Sequence, residues 1–481
     1  VRLFAGPDQF DLQPLKLGAL LGEERGEGGL RCHRGIFFVA GHSRSTGFGL
    51  RAVAPVLCVS SSSVPGGNSV LLLDILRSAW RLLPVRTRMR AGPLIGRTLK
   101  VIVAPRLRYL QRPVRQDAIV SGPVIVSGFL SDVNGIGRAG RLTLDSVRQW
   151  DARVIAHDLR TDPKGKQVTV GPSGGIWLAH CNAPEAMMFM IGPTARIWAD
   201  RYRIGYWAYE LERIPPEWLP AVRLFNEIWA PTQFVADAIR NAAGDDVPVI
   251  RVVPHPQPSR EHIKPDRARF GIDGRFTCLA MFDSRSTAMR KNPMGAIAAF
   301  QRAFAPADDA VLIVKAVESG AEPKAFAELR AAAVGWPNIR FVTAHFSDSE
   351  VLELIASVDV LISLHRSEGF GLPIAEAMTL GVPAVVTGWS GSAEFAEGAV
   401  VTIPYRLVPA TDPSSRYARP DLHWAEPDLD AAAAALRRLA AEPAWRAELS
   451  ATARRLAAER LQHPIDATHL RRFIAAPTTQ A

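Results

Sequence analysis

The pattern that most constrains the fold is a repeated alternation of short apolar runs with helical segments, which begins near residue 118. Residues 124–129 have the composition of a buried strand, Gly135-Ile-Gly137 follows, and residues 139–150 carry apolar side chains at helical spacing. Further strands are predicted at 153–156, 175–180, 228–230 and 247–253, with a helix over 232–242. Strands that alternate with helices in this way predict a parallel, doubly wound sheet.

A proline-rich break, Pro254-His-Pro-Gln-Pro258, separates this region from a second one of the same character. There, strands are predicted at 276–282, 310–314, 339–342, 360–364 and 384–387, with helices at 292–304 and 348–356 and over 429–461, interrupted near Pro443. Since 481 residues exceed what one core usually supports, two domains are expected. We predict an N-terminal extension (1–117), two Rossmann-like domains (118–257 and 258–425) and closing helices (426–481) that pack back toward the first domain.

The net charge of +10 is concentrated in one segment, residues 75–116, which contains eleven Lys or Arg residues and no acidic residue. Trp80, Leu94 and other apolar residues are mixed into it, which is typical of a basic amphipathic stretch on an anionic membrane surface. A solvated basic linker accounts for the same charge equally well. Nucleic-acid binding is not expected, because no stacking aromatic residues or known nucleic-acid motif accompany the charge.

The remaining composition indicates an ordinary globular protein, with 48% hydrophobic and 22% charged residues. The four cysteines lie far apart and form no C-x-x-C pair, so neither a zinc ribbon nor a disulfide framework is predicted. No run approaches the roughly 18 apolar residues that a membrane span requires, and no signal-peptide pattern is seen. A cytoplasmic protein is therefore expected, with possible attachment to the inner face of the cell membrane.

The most specific motif is Glu368-Gly-Phe-Gly-Leu-Pro-Ile-Ala-Glu376, which follows a predicted buried strand. Pro373 suits the first turn of a helix, so Glu368 is expected in a loop and Glu376 inside the helix. Glycines before a helix start allow close approach of a phosphate to free N–H groups. Ionised carboxylates accept hydrogen bonds from sugar or ribose hydroxyls. The alternative is a capping acid and a surface acid on an ordinary helix.

This string resembles the E-x7-E signature of the retaining glycosyltransferases of family GT4. The resemblance implies a GT-B fold, in which two doubly wound domains face each other across the active-site cleft. It also implies that Glu368 contacts the transferred sugar, together with the backbone of Gly369-Phe370-Gly371-Leu372, and that Glu376 holds the ribose.

A second element is the pair Arg285 and Lys291, which follows the first strand of the second domain and opens a helix. The pair resembles the two cations with which GT4 enzymes bind the donor diphosphate. Two cations there would stabilise the charge that grows on the leaving phosphate. Surface charges at a helix start are the alternative interpretation. The neighbouring Arg290 is expected to face solvent.

The first domain adds five candidate residues. Gly135 and Gly137 resemble the glycine loop that approaches the donor phosphates or the acceptor. His180 and Asn182 follow a predicted strand at a place where the family often has polar residues facing the sugar, although a buried core histidine fits as well. Glu210 lies in a segment that resembles a recurring part of related sequences and is a candidate on the acceptor side.

No metal site is predicted. Asp428-Leu-Asp430 spells the D-x-D of metal-using glycosyltransferases, but it precedes an alanine-rich helix, where acids are ordinary caps. The resemblance implies a metal-independent transfer of a hexose from a nucleotide-diphosphate sugar, with retention of configuration, in cell-surface polysaccharide or lipid-linked glycan synthesis. The donor stays open, with mannose favoured by resemblance alone, and so do the acceptor and the linkage. The alternatives are a non-catalytic nucleotide-sugar-binding or scaffold protein and a GT-B nucleotide-sugar epimerase.

Overall fold

The structure is a computed structural model that describes residues 116–162, 173–191, 195–244, 247–317, 319–412 and 417–475. The positive charges of the basic segment 75–116, and the extension before it, lie outside the described residues. Within the ranges given above, no helix is both long enough and apolar enough to cross a bilayer.

The first domain is built on a six-stranded sheet in which every strand pair is parallel, with the order β2-β1-β3-β4-β5-β6. Its strands are β1 (Val124–Gly128), β2 (Val154–Asp158), β3 (Ile176–His180), β4 (Tyr202–Tyr206), β5 (Glu227–Ala230) and β6 (Val249–Val252). Its helices are α1 (Gly135–Val147), α2 (Ala183–Ile191), α3 (Ala195–Ala199), α4 (Leu219–Val222) and α5 (Gln233–Ala243).

The central strands of this sheet are buried on both faces. Ile125 and Trp177 belong to one hydrophobic cluster, whereas their chain neighbours Val126 and Leu178 belong to another. Successive side chains of a strand point to opposite faces, so each face carries its own core. This burial explains the continuous apolar runs in the sequence.

The second domain has a six-stranded parallel sheet with the order β12-β11-β10-β7-β8-β9. Its strands are β7 (Phe276–Asp283), β8 (Ala310–Val317), β9 (Ile339–Val342), β10 (Val360–Ser363), β11 (Ala384–Thr387) and β12 (Val401–Ile403). Its helices are α6 (Ala288–Lys291), α7 (Pro293–Ala303), α8 (Pro323–Ala332), α9 (Asp348–Ala356), α10 (Leu372–Leu380) and α11 (Gly391–Ala396). The predicted pair of doubly wound parallel sheets is thus confirmed.

An antiparallel hairpin that the sequence analysis did not predict follows β12. Its strands are β13 (Tyr405–Ala410) and β14 (Arg419–Pro427). Tyr417, Leu422 and Trp424 pack into the hydrophobic cluster of the first domain. The hairpin therefore connects the second domain to the first.

The C-terminal part consists of α12 (Leu429–Ala441), α13 (Pro443–Arg460) and a final 3-10 helix (Thr468–Phe473). Ala453, Leu456 and Ala457 of α13 pack on the second domain. The 3-10 helix instead lies on the first domain, where Leu470 and Phe473 are buried. Asp428 caps α12 by accepting from the backbone N–H groups of Asp430 and Ala431, the ordinary capping role that the sequence favoured over metal binding.

Candidate active site

The two sheets place the predicted residues at their topological switch points. In the second sheet the strand order reverses between β7 and β10, and in the first between β1 and β3. Ligands of open parallel sheets bind outside the carboxyl ends of the strands at such points. Lys291 follows β7 and Glu368 follows β10, whereas Gly135 follows β1 and His180 ends β3.

The E-x7-E string forms a loop that leads into α10, as the sequence predicts. Gly371 precedes the helix with φ +93°, a conformation that favours glycine. A Cβ atom on Gly369 would lie 2.8 Å from the carbonyl oxygen of Tyr209, so the loop packs against the backbone of the first domain. The Thr232 hydroxyl donates to the carbonyl of Gly369 at 2.8 Å, which adds a second link between the domains.

Glu368 is buried and its carboxylate contacts two cations. Lys291 donates to Oε1, and Arg290 Nη1 lies 3.2 Å from Oε2. Burial opposes ionisation of Glu368, but the charges of Lys291 and Arg290 outweigh it and lower the pKa of the carboxyl well below its usual range. Glu368 is therefore an ionised acceptor in a poorly hydrated place.

Arg290 does not face solvent, so that expectation is wrong. Its side chain is 3% exposed and lies between two carboxylates, with Nη2 3.5 Å from Oε1 of Glu210. Nη1 also donates to the carbonyl oxygen of Ser367 at 2.8 Å. A guanidinium can be buried here because these partners neutralise its charge and accept its hydrogen bonds.

Arg285, the other predicted cation, has a side chain that is 38% exposed. It donates to Asp283 through Nη2 at 2.9 Å. The pKa of Asp132 in the glycine loop of the first domain is lowered, mainly by its hydrogen bond with Arg160 and to a smaller extent by the charge of Arg285. Arg285 is thus paired with Asp283 and is more exposed than Lys291, which contacts Glu368.

Glu376 is buried in α10 and lies against a basic residue of the opposite domain. Its Oε1 is 2.7 Å from Nε of Arg138, which the sequence analysis did not identify. Burial raises the pKa of Glu376, although the charges of Arg138 and Arg260 act in the opposite direction. The carboxylate predicted to hold a ribose is therefore paired across the cleft with Arg138.

A further ion pair fixes the two domains beside this contact. Arg141 of α1 binds Asp348, the first residue of α9, through Nε and Nη2 at 2.8–2.9 Å. The Nη1 group of Arg141 donates to the carbonyl oxygens of Leu130 and Asp132 at 2.6 and 2.9 Å. One guanidinium therefore ties the glycine loop to the second domain.

The two glycines of that loop differ in surroundings. Both lie in the first turn of α1, which Asn134 caps by accepting from the backbone N–H of Gly137 at 2.8 Å. A Cβ atom on Gly137 would lie 2.2 Å from the Asp132 carbonyl oxygen, whereas one on Gly135 would meet nothing within 4 Å. Close packing of the loop explains why residue 137 is a glycine. Residue 135 has no such constraint, and the space beside it is open to an approaching ligand.

His180 is buried at the end of β3, and neither ring nitrogen has a hydrogen-bond partner among the described residues. Burial lowers its pKa to about 4, so the ring is neutral at pH 7. It packs against Tyr206, with ring centroids 4.6 Å apart. Asn182 accepts from the backbone N–H of Ala208 at 3.0 Å, a structural bond that fixes the segment before Glu210.

Residues 281–419 match the model of the family described as Glycosyl transferases group 1. No curated protein sequence matches the chain.

Solved structures of HepE from Anabaena are similar in fold. The complex with UDP and glucose has a TM-score of 0.53 and 15% identity, and covers 71% of this chain and 95% of HepE. The complex with UDP-glucose has a TM-score of 0.53 and 16% identity, with the same coverage. The chain thus has the GT-B fold, and the match over 281–419 supports a glycosyltransferase.

Proposed function

We propose that this chain is a retaining, metal-independent glycosyltransferase that moves a hexose from a nucleotide-diphosphate sugar to an acceptor hydroxyl. The observation that carries the proposal is the pair of buried carboxylates of the E-x7-E string at the switch point of the second sheet. Glu368 lies on Lys291 and Glu376 lies on Arg138. When a donor binds, we expect a hydroxyl of that donor to replace the cation as the partner of each carboxylate.

The proposed chemistry uses the leaving phosphate itself. The bond between the sugar C1 and the phosphate oxygen breaks, and the acceptor oxygen forms a bond to C1 on the same face. The acceptor proton passes to the leaving phosphate oxygen. Lys291 and Arg285 would stabilise the negative charge that develops on that phosphate, a task that two cations can perform without a metal ion.

The nucleotide test is a thermal-shift screen with UDP, GDP, ADP and their common sugars, without added metal. A ligand that binds only the folded protein raises its apparent stability. We expect a shift with one nucleotide family, which is lost in Glu376→Gln because the amide replaces an acceptor-only carboxylate. The exposed Glu328→Gln is the matched control and should keep the shift. No shift with any nucleotide in the wild type would contradict the proposal.

We also propose that the acceptor is a glycan, free or lipid-linked, at the inner face of a membrane, with mannose as the transferred sugar. The basic segment 75–116 supports the membrane part of this proposal through its eleven cations. Replacing them with Gln should release the protein from vesicles that contain anionic lipid, as measured by co-sedimentation. Unchanged binding to those vesicles would refute the membrane role.

A further inference from the structure

Four charged side chains form a neutral cluster beneath the proposed sugar site. They are Glu210 from the first domain and Arg290, Lys291 and Glu368 from the second. Both cations contact the same carboxylate, that of Glu368. The question is which of them remains there when a donor binds.

Lys291 is the cation that is free to leave. Its side chain is 18% exposed, compared with 3% for Arg290, and within the described part of the chain its ammonium donates a hydrogen bond to Glu368 alone. A flexible ammonium can turn from one anion to another, so a bound diphosphate can take it from Glu368. Arg290, by contrast, is held by Ser367, Glu210 and Glu368 at once.

Glu210 is itself held in place by the second domain. Its Oε2 accepts from the Tyr417 hydroxyl at 2.8 Å, and its carbonyl oxygen accepts from the Ser367 hydroxyl. The Arg290 guanidinium also lies 5.6 Å from the centre of the Tyr417 ring. Glu210 can reach Arg290 only while the two domains and the hairpin β13–β14 are together.

We propose that Arg290 and Glu210 are positioning residues that hold the Glu368 carboxylate toward the donor sugar while Lys291 binds the diphosphate. This inference rests on the proposed function. Once Lys291 has turned away, Arg290, Glu210 and Glu368 carry one net negative charge. That charge lies where positive charge grows on the sugar as its bond to phosphate breaks, so the exchange also favours the reaction.

The experiment compares nucleotide sugars with the corresponding free nucleotides, because the difference isolates the sugar contact. Dissociation constants for UDP, UDP-glucose, GDP and GDP-mannose are measured by calorimetry for the wild type, Glu210→Gln, Arg290→Lys and the double variant. Glu212→Gln is the matched control, since Glu212 lies in the same segment and also contacts the hairpin, through the backbone N–H of His423.

For the nucleotide pair that the wild type binds, we expect each single variant to weaken nucleotide-sugar binding about tenfold and nucleotide binding less than about twofold. The double variant should be no worse than either single variant, because the two residues act through one contact. If Arg290→Lys does not fold, Glu210→Gln carries the test, since Glu210 is the less buried partner.

Three results would overturn the inference. If Glu210→Gln has the same ratio of nucleotide-sugar affinity to nucleotide affinity as the wild type, the cluster does not position Glu368. Additive losses in the double variant would show that the two residues act independently. A wild-type protein that shows no thermal shift with any nucleotide family would overturn the proposed function, and this inference with it.

Discussion

Lys291→Met is expected to lower the rate of sugar transfer at saturating donor by about 10²–10³-fold. The reason is electrostatic, since Lys291 is the mobile cation at the switch point and would stabilise the leaving phosphate. Loss of one fixed donor to a developing anion typically costs about 3 kcal/mol. Nucleotide-sugar binding should change less than turnover, because the charge on the phosphate grows as the bond to C1 breaks. The measurement is initial-rate kinetics with the donor identified in the thermal-shift screen.

Lys324→Met is the matched control for this experiment, because the Lys324 side chain is 92% exposed and lies 4.0 Å from Glu328 on the surface of α8. It should keep wild-type turnover. Lys291→Met should remain folded, since Glu368 keeps Arg290 as a counter-ion. A folded Lys291→Met protein with wild-type turnover would contradict a role for Lys291 in the leaving of the phosphate.

Most of the fold could be predicted because its strands alternate with helices and its central strands are buried on both faces. The predicted strand at 339–342 and the helix at 348–356 match β9 and α9 in full. Strand β4 was missed, although all five of its residues are buried. Its sequence, Tyr-Arg-Ile-Gly-Tyr, contains a charge and a glycine, so it lacks the apolar run that marks a central strand.

The hairpin β13–β14 was missed for a different physical reason. Its outer residues are largely exposed and three prolines lie within its strands, so the sequence of this segment is typical of a loop. Tertiary packing of Tyr417 and Trp424 on the first domain stabilises it. Such long-range packing leaves no periodic signal in the sequence.

Only those site residues that belong to a local sequence pattern could be predicted. Glu368 and Glu376 were identified because their spacing and the glycines between them are specific. Arg138 and the buried position of Arg290 were not, because each depends on a partner more than 70 residues away. An arginine near a glycine loop or at a helix start is usually exposed, and only the opposing carboxylate reveals that it is buried.

Glu227→Ala is expected to lower the free energy of unfolding by about 3–5 kcal/mol. The Glu227 side chain is buried at the start of β5 and is fully paired. It accepts from Tyr202, Trp229, Arg251 and His469 at 3.0, 2.6, 2.8 and 3.1 Å. Removing the carboxylate leaves the buried Tyr and Trp donors without an acceptor, and a buried donor without a partner is costly. Urea unfolding followed by tryptophan fluorescence measures the loss.

The same substitution should release the C-terminal segment, because His469 of the final 3-10 helix is one of the four partners of Glu227. Limited proteolysis should then cleave within 465–475 faster in Glu227→Ala than in the wild type. Glu328→Ala, a surface change, is the control and should alter neither measurement. His469→Ala should speed cleavage while costing less stability, since Tyr202, Trp229 and Arg251 would keep Glu227 paired. Equal stability of Glu227→Ala and the wild type would mean that this carboxylate does not hold the C-terminal segment on the first domain.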